Sequence, residues 1–250
     1  LKVPFCPEGR RGSQPGSLIR KYCYGGLDRI MVFSNLFFLF LFLPLNLIFY
    51  LFARSMKAKN VVMLIFSLFF YTWGEPVYVL LLIGMAFSSW IFARIIEGCR
   101  TQGGARAALV AALTVCLGLL AVFKYTGLIA GTLHNLFGVP QIVPQIALPI
   151  GISSSTFQLI SYIVDVYRGE VEAQKKFWLL LMYVSLFHQC IAGPIVRYQD
   201  VNREIASRSV TKEEVAQGIS RFSMGLAKKA LLANTCGSLA DLLLLSDAAM

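Results

Sequence analysis

Two short stretches hold the residues whose types and spacing could do chemistry. Residues 148–169 read "LPIGISSSTFQLISYIVDVYRG". On a helix Ser154, Gln158, Ser161 or Tyr162, Asp165 and Arg168 recur every three or four residues, so they share one face. Hydroxyls, an amide and a carboxylate in an otherwise apolar run are costly in lipid unless they meet protein or water. The second stretch, 187–200, reads "FHQCIAGPIVRYQD". There Gln189 interrupts the apolar run, Gly193 and Pro194 break a helix, and Arg197 with Tyr198 follows at once. Helix breaks at membrane depth persist only where they are buried in protein or line a cavity. Two readings stay open: a water-accessible tunnel between helices, or a polar seam between packed helices with Arg197 snorkelling to the headgroups.

Other reactive residues are sparse. His134 and His188 are the two histidines, far apart in sequence, and suggest no metal site. The six cysteines form no CxxC or other metal spacing, and Cys116 sits in an apolar run, where a thiol packs as a small hydrophobe. No metal is expected, and no Ser-His-Asp or Cys-His arrangement is evident.

The elements that must position these residues are membrane spans. The 250-residue chain is 57% hydrophobic and 14% charged, against roughly 25% charged residues in a soluble domain. That composition indicates an all-α, polytopic helical membrane protein with re-entrant or broken helices, whose first partner is the lipid bilayer. Residues 1–30 are polar and aperiodic and carry six basic residues against Glu8 and Asp28. They read as a disordered or non-native extension before a start at Met31. The remaining 17 basic and 11 acidic residues leave +6 in 31–250. Basic residues flanking spans are topological, so nucleic acid is not an expected partner.

A first span is expected over 34–52, kinked at Pro44, with Arg54, Lys57 and Lys59 marking a cytoplasmic loop. Further spans are expected at 61–73, 77–93 and 107–123. Residues 125–147, with three glycines and two prolines, read as re-entrant or interfacial. Spans at 148–167 and 177–196 would then leave Arg197, Arg203, Arg208 and Lys212 outside, against the positive-inside rule. Residues 211–233 open with a capping-box pattern, Thr211 and Glu214, and read as an amphipathic helix at the membrane surface or along the bundle.

The stretches "LPIGISSSTFQLISYIVDVYRG", "FHQCIAGPIVRYQDV" and "GLAKKALLAN", with "MVFSNLFFLFLFLPLNLIFYL" and "NVVMLIFSLFFYTWGEP", resemble the membrane-bound O-acyltransferase (MBOAT) family. The resemblance covers 31 to about 245 and is nearest to the bacterial alginate O-acetyltransferase membrane subunits. Two positions depart from that branch: Ser154 and Ser155 stand where it has aromatics, and His188 where it has proline. The family's Trp- and Arg-rich segment with its catalytic histidine has no counterpart here. The resemblance is thus to the N-terminal half, 31–250 is expected to be that part of the acyltransferase domain, and the family base is expected beyond Met250.

The resemblance implies acyl transfer, acetyl in this branch, from a cytoplasmic donor, acetyl-coenzyme A, toward hydroxyls of an exported polysaccharide such as alginate. It implies a multi-pass protein of the bacterial inner membrane, partnered by a periplasmic acetyltransferase or polysaccharide-synthesis subunits. Ser154, Gln158, Tyr162, Asp165, Gln189, Gly193, Pro194 and Arg197 become candidate tunnel-lining residues. With no family histidine, this chain alone is expected to be inactive. The alternatives are a catalytically dead truncated membrane subunit, or a transporter or flippase, which would also bury a broken helix at midplane.

Overall fold

In the computed structural model the chain divides into two units, Leu1–Ile30 and Met31–Met250. The structure describes residues 36–74, 76, 78–99, 101–137, 151–190, 196–237 and 239–240, all in the second unit, with backbone alone for 127–137. The expected disorder of 1–30 lies outside the described residues.

Every regular element among the described residues is helical. Helix α1 (Phe38–Phe52) begins as a π-helix over Phe38–Phe42. There Leu43 N–H reaches back five residues to Phe38 O, so the ladder is already rewound where Pro44 withholds a donor. Helices α2 (Met56–Gly74) and α3 (Tyr78–Gly98) follow as an antiparallel pair. Helix α4 (Gln102–Phe137) has 36 residues, a rise of about 54 Å against the roughly 30 Å hydrocarbon core. Residues 125–137 therefore continue the helix, and the expected break does not fall within them. Gly127 and Gly131 do not stop it, whereas Pro140 and Pro144, which would, lie past Phe137. Residues 138–147 lie outside the described residues.

Helices α3 and α4 approach closely because the facing side chains are small. Ala86, Ser89, Ala93, Ala112 and Cys116 are all essentially inaccessible, with Ser89 Oγ 3.7 Å from Cys116 Sγ. Their opposite faces, and most of α1, expose large apolar side chains, among them Leu80, Phe87, Val110, Phe40, Leu51 and Phe52. A rind of this kind suits lipid.

Helix α5 (Ile152–Arg168) starts after Gly151 and stops at Gly169, both at φ near +75°, where a side chain would be strained. At its end Gly169 N–H donates to Val166 O and Glu170 N–H to Asp165 O, the paired bonds of a Schellman stop. Arg106 Nε donates to Tyr167 OH at 3.3 Å, so α5 ends beside the start of α4, on the same face as the basic turn between α1 and α2.

The chain then enters the bundle and comes back. Helix α6 (Phe177–Ser185) breaks at Leu186, and the four-residue α7 (Phe187–Cys190) follows. The break lies at depth. Phe187 N–H donates to Ser67 Oγ at 3.4 Å, eleven residues or about 16 Å along α2. The return limb runs beside α6, where Tyr183 OH donates to Val196 O at 2.6 Å. Helix α8 (Tyr198–Ala206) ends where Asn60 Nδ2 donates to Ile205 O at 3.0 Å. Arg208 Nε then donates to Tyr50 OH at 2.6 Å. Both anchors belong to the α1–α2 turn. The described parts of 177–206 thus form a helical hairpin of two limbs, α6 with α7 and then α8, in place of one continuous helix over 177–196. Arg203 and Arg208 therefore lie near the α1–α2 turn that carries Arg54, Lys57 and Lys59.

Helix α9 (Lys212–Ala227) continues as a π-helix over Lys228–Ala233 and buries none of its residues. Its capping box is formed: Thr211 Oγ1 accepts from Glu214 N–H, and Thr211 N–H donates to the Glu214 carboxylate at 2.8 Å. That bond holds Glu214 below the usual carboxylate range. Because the folded-state value is depressed, the cap contributes above the ordinary carboxylate range and is lost as pH falls through the depressed value.

The hairpin fixes sidedness. In a cysteine-free background, Ser55→Cys and Ser209→Cys should react with an impermeant maleimide from the same, cytoplasmic side, and Pro76→Cys from the other. Labelling of Ser55→Cys and Ser209→Cys from opposite sides would refute the hairpin path.

Candidate functional site

The polar stripe of α5 faces the hairpin. Gln158, Tyr162 and Asp165 are buried and Ser154 half-buried, while Phe157 on the other side of the helix is exposed. At the inner end Gln158 Nε2 donates to Gln189 Oε1 at 2.7 Å, joining α5 to α7. Thr156 Oγ1 returns to Ile152 O at 2.7 Å, which removes its hydroxyl from the stripe.

Toward the C-terminal end of α5 three tyrosines from three elements meet edge to face. The rings of Tyr162 and Tyr198 are 4.8 Å apart and those of Tyr183 and Tyr198 5.2 Å, and all three residues are almost completely buried. Gln174, in the loop between α5 and α6, satisfies two of their hydroxyls. Its backbone N–H donates to Tyr162 OH at 2.8 Å and its Nε2 to Tyr198 OH at 2.7 Å. The same residue accepts from Trp90 Nε1 on its carbonyl, 2.7 Å, and from Lys176 N–H on Oε1, 3.2 Å. Glu97, paired with Arg94 at 2.8 Å, accepts from Ala173 N–H at 3.1 Å and ties the loop to α3. Gln174, Tyr183, Trp90 and Glu97 had no signal in the sequence. Gln174 stands in the charged run "EVEAQKKF" and Tyr183 inside "FWLLLMYVS", where periodicity marks neither.

Asp165 is 4% exposed. Ser161 hydrogen-bonds its carboxylate, Oδ2 has no partner among the described residues, and Glu170, Arg197 and Arg168 are the charged groups that act on it. Arg197 is exposed at the N-cap of α8. Gly193 and Pro194 lie outside the described residues. His134 is on the backbone of α4, with its side chain outside the described set. His188 is exposed on α7, its ring centroid 4.3 Å from that of Phe187 in an edge-to-face contact, and faces a separate cavity of about 840 Å³ with Asn46, Tyr50, Arg208 and Phe222. Among the described residues, no three His, Cys, Asp or Glu side chains could hold a metal.

The structure therefore joins Gln158 with Gln189, and Tyr162 with Tyr198, and separates both pairs from His188. Chemically this is a hydrogen-bonded seam: an amide pair at Gln158 and Gln189, a tyrosine cluster one turn along α5, and the Asp165 carboxylate one turn further on.

The amide pair can be tested directly. Gln158→Leu or Gln189→Leu alone leaves the partner unsatisfied, at a cost of about 1–3 kcal/mol. The double variant should recover part of this, with a coupling energy of about 0.6–1.7 kcal/mol in a membrane unfolding assay. Additive losses would show that the two amides act independently.

Comparison with known proteins gives relatives of one kind. Over 217 residues the chain is 39% identical to a protein of Pseudomonas aeruginosa named "Probable alginate O-acetylase AlgI", covering 84% of this chain and 41% of that one. The protein of the same name in Azotobacter vinelandii is 38% identical over 217 residues, with 84% and 43% covered. A peptidoglycan O-acetyltransferase of Helicobacter pylori is 27% identical over 244 residues, with 85% and 46% covered. No protein-family model and no solved structure matches the chain. The chain spans less than half the length of these curated relatives. It is a relative of the alginate O-acetylases, of the membrane-bound O-acyltransferase kind, along most of its own length.

Proposed function

We propose that this chain forms part of a multi-pass inner-membrane O-acetyltransferase that passes acetyl groups from a cytoplasmic donor, acetyl-coenzyme A, toward hydroxyls of an exported polysaccharide. The observation that carries the reading is the 39% identity to a probable alginate O-acetylase over 84% of the chain. Alginate is the acceptor favoured over peptidoglycan, because the relatives named for it are the more similar, 38–39% against 27%. The expected partners are a periplasmic acetyltransferase and the polysaccharide-synthesis subunits.

Acyl transfer to a hydroxyl calls for a base with a pKa near neutrality and for donors at the developing oxyanion. The residues described here supply neither as a set, and the part proposed for them is the wall of the transfer path. A hairpin that enters and leaves on the cytoplasmic face offers the donor a polar route to mid-membrane, lined by Ser154, Gln158, Tyr162, Asp165 and Gln189. Arg197 would stand at its mouth.

The test is in cells. In the bacterium that encodes the chain, deleting the gene should abolish the acetyl signals of its exported polysaccharide in proton NMR. Gln158→Leu should lower acetyl content several-fold at unchanged protein level. Full acetylation in the deletion strain would end the reading. Full acetylation with Gln158→Leu would remove Gln158 from the path and leave the reading standing.

A further inference from the structure

A second feature lies apart from the seam. The cavity beside His188 is bounded by α1, Met63 of α2, Phe187 at the inner end of the hairpin, and α9. At about 840 Å³ it falls within the range of small-molecule sites. Its walls are mostly apolar, with Phe38, Leu43, Leu47, Met63, Phe222 and Leu226 among them. Of its polar lining residues, His188 stands beside Phe187 at the inner end, and Tyr50 and Arg208 stand at the end near Lys59. Asn46 is 3% exposed, and among the described residues its Nδ2 has no hydrogen-bond partner. Arg208 spends Nε on Tyr50 OH, while its Nη2 is buried and likewise without a partner among the described residues. Lys229 stands on the α9 wall. Lys59 Nζ lies 5.2 Å from the centroid of the Tyr50 ring, as does Arg208 Cζ. No carboxylate lines the cavity. The nearest by sequence are Glu204, exposed on α8, and Glu213 and Glu214 on the first turn of α9, the last engaged with Thr211.

Buried donors without acceptors are expensive, about 1–3 kcal/mol each and more when charged. Two of them, one charged, at the mouth of one apolar cavity specify a ligand with several acceptor oxygens, negative charge and a long apolar body. We infer that the cavity binds an anionic phospholipid of the cytoplasmic leaflet. Its phosphate is held by Arg208 and Asn46 with Lys229 alongside, and an acyl chain lies among Phe38, Leu43, Met63 and Phe222. The basic face of the bundle is where such headgroups stand. A free phosphate would use the donors and leave the apolar walls bare; an uncharged lipid would fill the walls and leave Arg208 unpaired. This inference does not depend on the acetyl-transfer reading, since it concerns binding alone.

The experiment measures the melting temperature of the detergent-purified full-length protein, and its bound lipid by native mass spectrometry. Dimyristoyl phosphatidylglycerol is titrated against dimyristoyl phosphatidylcholine, inorganic phosphate and coenzyme A. Phosphatidylglycerol should raise the melting temperature in a saturable way, and the other three should not. Arg208→Gln and Asn46→Leu should each weaken phosphatidylglycerol binding about tenfold, or about 1.4 kcal/mol. Gly225→Trp offers a variant that leaves those donors intact: Gly225 lines the cavity, and a Cβ there meets nothing within 4 Å. It should fold normally and abolish the lipid effect. Equal stabilisation by phosphatidylcholine, phosphate or coenzyme A would overturn the assignment. So would undiminished phosphatidylglycerol binding in Gly225→Trp.

Discussion

The constraint on which the rest of this structure depends is the backbone of 177–206. A chain that enters the bilayer and turns back must satisfy its own N–H and C=O groups where no lipid can. Here the neighbours do it. Ser67 takes the Phe187 N–H freed by the break at Leu186, Tyr183 gives its hydroxyl to Val196 O, and Asn60 reaches Ile205 O. Each donor or acceptor is a polar residue on an otherwise apolar helix, and each is buried. The polar stripe of α5 belongs to the same pattern. It is polar because it faces a segment of chain, and a plain transmembrane helix in that place would have needed no such stripe.

That dependence explains what was legible in the sequence. Helices α1 to α5 could be read from apolar length and basic flanks. The shared face of Gln158, Tyr162 and Asp165 followed from helical spacing, and the Thr211–Glu214 cap from its local pattern. What could not be read was set by long-range pairing. An apolar run of twenty residues at 177–196 satisfies any length criterion for a span; only the contacts of Val196, Ile205 and Arg208 with α6, α2 and α1 reveal that it turns back. The error at 125–137 was the converse. Two glycines lowered the local helix propensity, yet propensity is a weak prior inside a packed helix, and α4 runs on.

Gln174 shows how little sequence signal a central residue can carry. One glutamine in a loop of charges uses its N–H, its C=O and both ends of its amide, and through them joins α3, α5 and α8. The loop is held to α3 by Trp90 and Glu97 rather than by its own lysines, which stay exposed. Charged loops between spans usually signal topology only. This one also clamps the mouth of the hairpin.

The distribution of contacts along the seam orders its strength. Toward the C-terminal end of α5 it is closed by three interlocked aromatic rings and by bonds to loop backbone, which cannot rotate away singly. At the inner end, between α5 and α7, it is held by one side-chain pair, Gln158 with Gln189, and Gln189 is only half-buried. Side-chain amides change partners by rotamer motion, on a far shorter timescale than loop displacement. A small polar group moving along this seam would therefore meet its rigid barrier at Tyr162, Tyr183 and Tyr198 and its adjustable one at the glutamines. Asp165, on the same face of α5, has one carboxylate oxygen without a partner among the described residues. Burying that oxygen has a cost that a purely structural seam would not need to bear.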